Sequence, residues 1–386
     1  MKKKRLTIVS PFFYPELIGS GKYNGNLADE LVSAGYSITV LCSYPIYPNW
    51  KPHNKIPEYS RFDITRGGLS VRYPANSLLR RLVLEVWFLM FVLRNVQRLR
   101  KADVLLFVSP PSLFIFAILF VGRHVRKLVF VHDLQSIHLA LSKSLLKRFV
   151  ARAIEFIEGL AFRHGDHIFF MSSEMMESVK KRLPSLRASI IYPVVTSSKK
   201  MEPSSVNRVL NSNFVNIVYS GALGEKQNPM GLVALGKELI SRDEQICFSI
   251  FSDGPIFEKL KKDNQCERLV FSNLVSAEDL PHLLHESTLQ VIPQASGTSG
   301  GSLPSKLPNL LSSGTAIFAI CDRSSELASL LNAQKGCFVS NEWDVELNSQ
   351  TILALGLDAI GKFDRSGDLA LFSSQYQLSL IESQFE

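Results

Sequence analysis

The densest run of residues able to hold an anion is Ile292–Gly314, IPQASGTSGGSLPSKLPNLLSSG. Apolar Leu289, Val291 and Ile292 end at Pro293. Gly297, Gly300 and Gly301 then open a polar loop, and a helix-like segment from about Ser305 to Ser313 is closed by Gly314. A strand–loop–helix junction of this kind exposes backbone N–H groups and adds the positive end of a helix dipole. Lys306 falls in the first turn, where a cation does not favour the helix and is better explained by a ligand. The pattern predicts a site for an anion such as a diphosphate, around Ser305 and Lys306. An ordinary strand–loop–helix turn would read the same way.

A second glycine loop lies near the N-terminus. Leu6–Ser10 reads as a strand, PFFYPELIGSGKY follows, and a helix from about Tyr23 to Ala34 carries Leu27, Leu31 and Ala34 at helical spacing before Gly35. Two familiar phosphate motifs fail here. Glu16 stands where a P-loop needs its first Gly, and Tyr23 where it needs Ser or Thr. A GxGxxG fingerprint begun at Gly19 meets Asn24 at its third Gly. Gly19 and Gly21 could still admit a ligand to the backbone, or simply serve a turn that needs positive φ.

Three further groups stand at the ends of apolar runs. Leu128–Val131 delivers His132-Asp133 to its carboxyl end, the edge where doubly wound sheets bind ligands. A hydrogen-bonded structural histidine is the alternative. Asn216–Tyr219 leads into SGALGEKQ, which holds Gly221 and Lys226. Cys247–Phe251 ends in SDGP, which holds Asp253 and Gly254.

The elements that must carry these groups alternate. Ser37–Leu41 and Val104–Val108 are further strands, Ser112–Val121 and Ile154–Phe162 helices, Asp166–Met171 a strand, and Ser173–Leu183 a helix capped by Ser172 or Ser173. Lys199–Asn213 is polar and aperiodic, and reads as a linker. A second alternation follows: helices after Pro229, after Pro255 and over Ser276–Glu286, and strands over Leu269–Phe271, Leu289–Ile292 and Ala316–Ile320. The expected fold class is α/β, two doubly wound Rossmann-like domains with a ligand cleft between them. Their expected extents are 1–198 and 214–368, joined by 199–213. Tyr44–Pro57, rich in proline and aromatics, is a candidate acceptor-side loop or a solvated linker.

The segment 77–101 is unusual. Its apolar run Leu82–Leu93 contains only Glu85 as a charge, with Arg80 and Arg81 before it and Arg94, Arg98, Arg100 and Lys101 after it. It is too short to span a bilayer, but fits an interfacial helix on anionic headgroups; a buried core helix fits equally. The whole chain of 386 residues has 46% hydrophobic and 20% charged residues, a net charge of +8 and a pI near 9.2. That balance favours anionic partners. The Lys and Arg are dispersed without a nucleic-acid reader motif, so no nucleic acid is expected. Five cysteines without metal spacing read as reduced thiols. The start MKKKRLTIVS is too short for a signal peptide, and no apolar stretch is long enough for a transmembrane helix.

In this order and spacing the segments SPFFYPELIGSGKYNGNLADELVSAGYSITVLCSYPIYPNW, VHDLQ, HGDHIFFMSSEMMESV, YSGALGEKQN, FSDGP, LVSAEDLPHLLHESTLQVIPQ and LPSKLPNLLSSG resemble the GT-B nucleotide-sugar glycosyltransferases. The likeness is to the retaining family 4, in its colanic-acid and O-antigen branch. It covers almost the whole chain, with 369–386 resembling a final helix that packs back on the N-terminal domain.

The resemblance implies a UDP- or GDP-sugar donor on the C-terminal domain and a polyprenyl-diphosphate-linked saccharide acceptor on the N-terminal one. The sugar would be fucose or N-acetylfucosamine in type. The setting would be cytoplasmic, peripheral to the inner membrane, with 77–101 on an anionic membrane surface. It gives Lys226 as phosphate ligand, Asp253 and Gly254 as the GDGP turn, and Gly221 in the loop before Lys226. Two family glutamates eight positions apart read here as Gly301 and Asn309; Asn309 could still bond the ribose, whereas Gly301 cannot replace a carboxylate. Lys226, Lys306 and the N–H groups at Gly19–Gly21 and at the helix start near Ser305 would stabilise the leaving diphosphate, with His132 at the donor sugar or acceptor and no metal required. Two alternatives stay open. A GT-B sugar-nucleotide 2-epimerase would need carboxylate acid–base groups in the cleft, and a non-catalytic sugar-nucleotide or membrane-surface subunit would not need Lys226 and His132.

Overall fold

The computed structural model describes residues 4–385 apart from 17–18, 47–49, 54–60, 70, 135, 137–144, 196–209, 265, 277 and 299–302. Gly300, Gly301, Gln135 and most of the expected linker therefore lie outside the described residues, as does much of Tyr44–Pro57. The chain forms two compact units, Met1–Pro193 with Ser374–Glu386, and Val194–Ser373.

The first unit is a seven-stranded parallel sheet in the order β3-β2-β1-β4-β5-β6-β7. Its strands are β1 (Arg5–Val9), β2 (Ser37–Ser43), β3 (Asp63–Gly67), β4 (Val104–Ser109), β5 (Arg126–Val131), β6 (His167–Phe170) and β7 (Ala188–Ile190). The central runs are apolar on both faces because helices cover both. Leu105, Phe107, Val129, Val131, Ile168 and Phe170 face one core, and Leu6, Ile8, Val40, Leu106, Leu128 and Phe130 face the other. Short edge strands β3 and β7 were not legible in the sequence: DITRG and ASI are only half-buried and carry no apolar run.

Helix α1 (Ser20–Ser33) starts directly after Gly19, three residues earlier than the periodicity predicts. Segment 77–101 is the helix α2 (Ser77–Arg94) plus one turn at Val96–Leu99. Asn76 caps α2 by accepting from the N–H groups of Leu78 and Leu79. Phe88 and Val92 lie in the core, while Leu79, Leu82, Val86 and Met90 are about half exposed. Core helix and greasy outer face thus coexist in one element. The expected helix Ser112–Val121 is a 3-10 segment, Leu113–Phe120, whose first amides are held by Glu85: Ser112 N–H and Leu113 N–H each donate to Oε2 at 2.9 Å. Ile154–Phe162 is the second half of a longer helix, Leu145–Phe162. Ser172 caps Ser173–Lys180. The chain returns to this unit with the helix Ser374–Glu382, whose Ile381 is buried beside Leu27 and Leu31 of α1.

The second unit is a six-stranded parallel sheet in the order β10-β9-β8-β11-β12-β13. Its strands are β8 (Val215–Ser220), β9 (Ile246–Phe251), β10 (Leu269–Ser272), β11 (Leu289–Pro293), β12 (Ala316–Ile320) and β13 (Cys337–Ser340). Sequence-adjacent strands run outward from β8 in one direction and from β11 in the other. The β8–β11 boundary is therefore the switch point where the carboxyl ends of such sheets leave a crevice. The corresponding boundary in the first unit lies between β1 and β4. Among the described residues no helix is long and apolar enough to cross a membrane.

Candidate functional site

At the β8–β11 boundary three loops stand side by side. β8 ends in Ser220-Gly221, and the turn Glu225–Gln227 follows. β9 ends in Ser252, with Asp253 and Gly254 exposed before the helix Pro255–Asp263. β11 ends in the Gln294–Thr298 loop. Backbone bonds tie the first and third together: Ala295 N–H donates to the Lys226 carbonyl at 2.7 Å. Gly297, at φ +75°, donates its N–H to both carboxylate oxygens of Asp322 at 3.0 Å. Trp343 Nε1–H holds the Gln294 carbonyl at 2.7 Å. The loop is thus fixed from beneath by side chains that its own sequence gives no hint of.

Lys306 is the site's cation. The expected helix start moves here: the helix is Leu307–Ser312, Lys306 is its N-cap residue and Ser305 lies in the preceding turn, exposed. Pro304 and Pro308 bracket that start and remove two amide donors, so the helix terminus offers fewer N–H groups than the sequence pattern promised. The lysine takes over that role. Its Nζ lies 4.0 Å from the centre of the Tyr219 ring and 3.2 Å from the Ser220 carbonyl oxygen, to which it donates. Among the described residues no carboxylate pairs with it. Burial lowers its pKa from 10.5 to about 7. Gly221 is required by its φ of +137° and not by space: a Cβ there would make an ordinary contact, 3.8 Å from Lys306 Cδ. Tyr219 is itself fixed, its hydroxyl donating to the Ala222 carbonyl at 2.6 Å.

Structure therefore brings Gly221 and Lys306 together, and sets Lys226 beside the β11 loop through its backbone. Asp253 and Gly254 lie one strand over; Gly254, at φ +97°, has open space around its Cα. Asn309 lies one turn along from Lys306 and is half-buried. Gln294, only 8% exposed, keeps a buried side-chain oxygen with no partner among the described residues. Sequence reasoning passed over Tyr219, Gln294 and Asp322, because each looks like an ordinary strand-end or loop residue.

In the first unit His132 follows β5. Its Nδ1 lies 3.0 Å from Ser20 Oγ, and Tyr23 packs edge-on at 4.7 Å between ring centres. Tyr23 is anchored in turn by the Gln377 side-chain amide, whose N–H donates to the Tyr23 hydroxyl oxygen. Burial lowers the His132 pKa to about 4, against an opposing pull from Asp133, so the ring is neutral at pH 7. Its Nε2 is enclosed and has no partner among the described residues. A buried polar atom without a bond costs about 1–3 kcal/mol, which a ligand group could recover. Ser20 and Tyr23, missed in the sequence, are the residues that orient this ring.

The two N-terminal glycines differ. Gly19, at φ +59°, opens onto free space, whereas Gly21 is buried and its Cβ would meet Glu16 Cβ at 2.7 Å and the Glu16 carbonyl oxygen at 2.8 Å. Gly21 therefore serves the packing of the loop, and only Gly19 leaves the backbone open. Glu16 accepts from Ile46 N–H at 2.7 Å and so braces that loop.

Residues 19–191 match the family model of the glycosyl transferase 4-like domain. A protein of Escherichia coli K12 named as a colanic acid biosynthesis glycosyl transferase, WcaI, is 26% identical over 354 residues, covering 86% of each chain. Residues 19–191 thus carry a glycosyl transferase 4-like domain, and the two-unit α/β fold is the one GT-B glycosyltransferases have. Solved structures share the two-unit fold over nearly their whole length. Sucrose-phosphate synthase of Thermosynechococcus elongatus superposes with a TM-score of 0.74 at 14% identity, over 99% of this chain and 98% of its own. WaaG, a glycosyltransferase involved in lipopolysaccharide biosynthesis, does so with 0.63 at 13%, over 98% and 94%.

Proposed function

We propose that this glycosyltransferase moves a hexose, of fucose or N-acetylfucosamine type, from a UDP- or GDP-sugar to a polyprenyl-diphosphate-linked saccharide during assembly of a bacterial surface polysaccharide. The Lys306 ammonium at the switch point of the second sheet carries the reading, because a half-buried cation that meets, among the described residues, only a ring and a carbonyl is poised for an anion. In this reading the donor diphosphate lies against Lys306, Lys226 and the Gly221 backbone, with Asp253, Gly254 and Asn309 around the nucleoside. The likeness to WcaI supports the polysaccharide setting.

The bond from the sugar anomeric carbon to the diphosphate oxygen breaks, and the acceptor hydroxyl oxygen bonds to that carbon on the same face. The hydroxyl proton passes to the departing diphosphate. Cations placed where that negative charge develops lower the barrier, and no metal is required for the step. His132, neutral and with a free Nε2, bonds a sugar or acceptor hydroxyl; with Gly19 it marks the acceptor-binding unit. The half-exposed apolar stripe of α2, with Arg80, Arg81 and Arg94, rests on the anionic membrane surface where such an acceptor resides.

The test is turnover. Purified protein, a panel of UDP- and GDP-sugars, chelator and a membrane extract as acceptor source should release nucleoside diphosphate only when donor and acceptor are both present. Binding without release would instead favour a non-catalytic subunit.

A further inference from the structure

The helix Leu145–Phe162 presents an outward stripe that the function above does not use. Phe149 and Phe156 are 72% and 71% exposed, and Leu160 is 38% exposed. Arg148, Arg152 and, just past the helix end, Arg163 are exposed beside them. At about 100° per residue these six positions fall within an arc of about 120°. Both acids of the helix are engaged: Glu158 is 1% exposed and bonded by the Ser136 hydroxyl, and Glu155, at the edge of the arc beside Arg148, pairs with Arg182 at 3.1 Å. An aromatic and arginine face with no unpaired acid is not how an ordinary solvent-facing helix is composed.

Its position gives it an occupant. Phe162 and Ala161 of this helix, Phe114 and Ile115 of the 3-10 segment, and Phe88 and Val92 of α2 share one core cluster, so all three elements cover the same side of the first sheet. The 3-10 segment adds exposed Leu119 and Phe120, and α2 adds Leu79, Leu82, Val86 and Met90. We propose that the stripe of Leu145–Phe162 is a second contact with an anionic lipid surface, on the same side of the unit as α2. The charge favours this occupant. Among the described side chains of these elements, the charged groups left without an acid partner are arginines, which complement headgroups and would repel the same face of a second copy. Aromatic rings at headgroup depth with arginines reaching to phosphates are the composition an interfacial helix needs. The inference rests on the membrane reading of α2 but can fail separately from it.

Co-sedimentation with phosphatidylcholine vesicles, with and without phosphatidylglycerol, is the test, beside sedimentation velocity of the free protein. Two variants address the new stripe: Arg148→Gln/Arg152→Gln/Arg163→Gln, and Phe149→Ser/Phe156→Ser. Leu82→Ser/Val86→Ser addresses α2. All the substituted side chains are on the surface, so melting temperature and nucleoside diphosphate binding should hold and report folding. The wild type should bind only the anionic vesicles. The arginine variant should bind at least about tenfold more weakly, each basic group near such a surface being worth roughly a fivefold gain, and the phenylalanine variant should weaken as well. Wild-type affinity in both new-stripe variants, with loss only in the α2 variant, overturns this inference and leaves the α2 reading standing. No wild-type binding overturns both. A dimer that either new-stripe variant converts to monomer would show that a second copy covers the face, and would also overturn it.

Discussion

Replacing Lys306 with Met should move stability and ligand affinity in opposite directions. Methionine keeps an unbranched stem to lie on the Tyr219 ring and removes the ammonium. In the free protein that ammonium is held, among the described residues, by a carbonyl and a ring, and burial lowers its pKa from 10.5 to about 7. At about 1.4 kcal/mol per pH unit the full displacement corresponds to about 4–5 kcal/mol. The side chain keeps some solvent access, and screening reduces the figure to about 2–3 kcal/mol. The sign follows from proton counting. Between about pH 7 and 10 the unfolded chain binds the proton that the folded one gives up, so wild-type stability from this group rises with pH over that window. The charged lysine therefore costs most at pH 6, and Lys306→Met should gain about 2 kcal/mol there and progressively less towards pH 10. Nucleoside diphosphate, in contrast, should lose a charge-assisted contact worth about 1.5–3 kcal/mol, or about 10- to 150-fold in affinity. Chemical denaturation across pH and calorimetric titration with UDP and GDP read the two effects. A variant that is less stable than wild type at pH 6, or that binds nucleoside diphosphate as well as wild type does, would refute the assignment.

Three further outcomes are expected. His132→Gln should lower turnover by about 10- to 100-fold, the loss of one buried hydrogen bond, while nucleoside diphosphate affinity holds; since burial lowers the wild-type ring to about 4, its protonation should leave no inflection in the rate between pH 6 and 8. Gly21→Ala should cost about 2 kcal/mol or more by denaturant unfolding, because its Cβ meets Glu16 backbone, whereas Gly254→Ala, with open space but φ +97°, should cost about 1 kcal/mol. Burial raises Glu158 from 4.5 to about 7, so its contribution to stability is present below pH 4.5 and lost as pH rises through 7; Glu158→Gln should match wild type at pH 4.5 and exceed it by about 2–3 kcal/mol at pH 8.

Most of the α/β alternation was legible because buried parallel strands are continuous apolar runs, and each interior strand from Leu6 to Ile320 announces itself that way. Of the edge strands only β10 was, through its apolar Leu269–Phe271: DITRG and ASI are half-buried and carry no apolar run, and Cys337–Ser340 is a half-buried run of four residues. Helix ends moved where capping was ambiguous. Pro308 permits a first turn at Leu307 as readily as at Ser305, and Gly19 starts α1 earlier than Leu27 and Leu31 could indicate. Lys306, His132 and Gly221 were found from residue type and strand-end position. Their supports were not, since Tyr219, Ser20 and Asp322 matter through contacts of long sequence separation. Gly21 shows the opposite limit: one glycine in a loop can be small for a neighbour's sake, and only the position of Glu16 says so.

The central claim is that the donor diphosphate lies at the β8–β11 boundary. Amide hydrogen exchange with and without saturating UDP or GDP, in chelator, tests it most directly. One nucleotide should slow exchange in 219–228, 252–256 and 294–310 and leave 5–43 and 104–133 unchanged. Slowing confined to the first unit, or none with either nucleotide at millimolar concentration, would contradict the account.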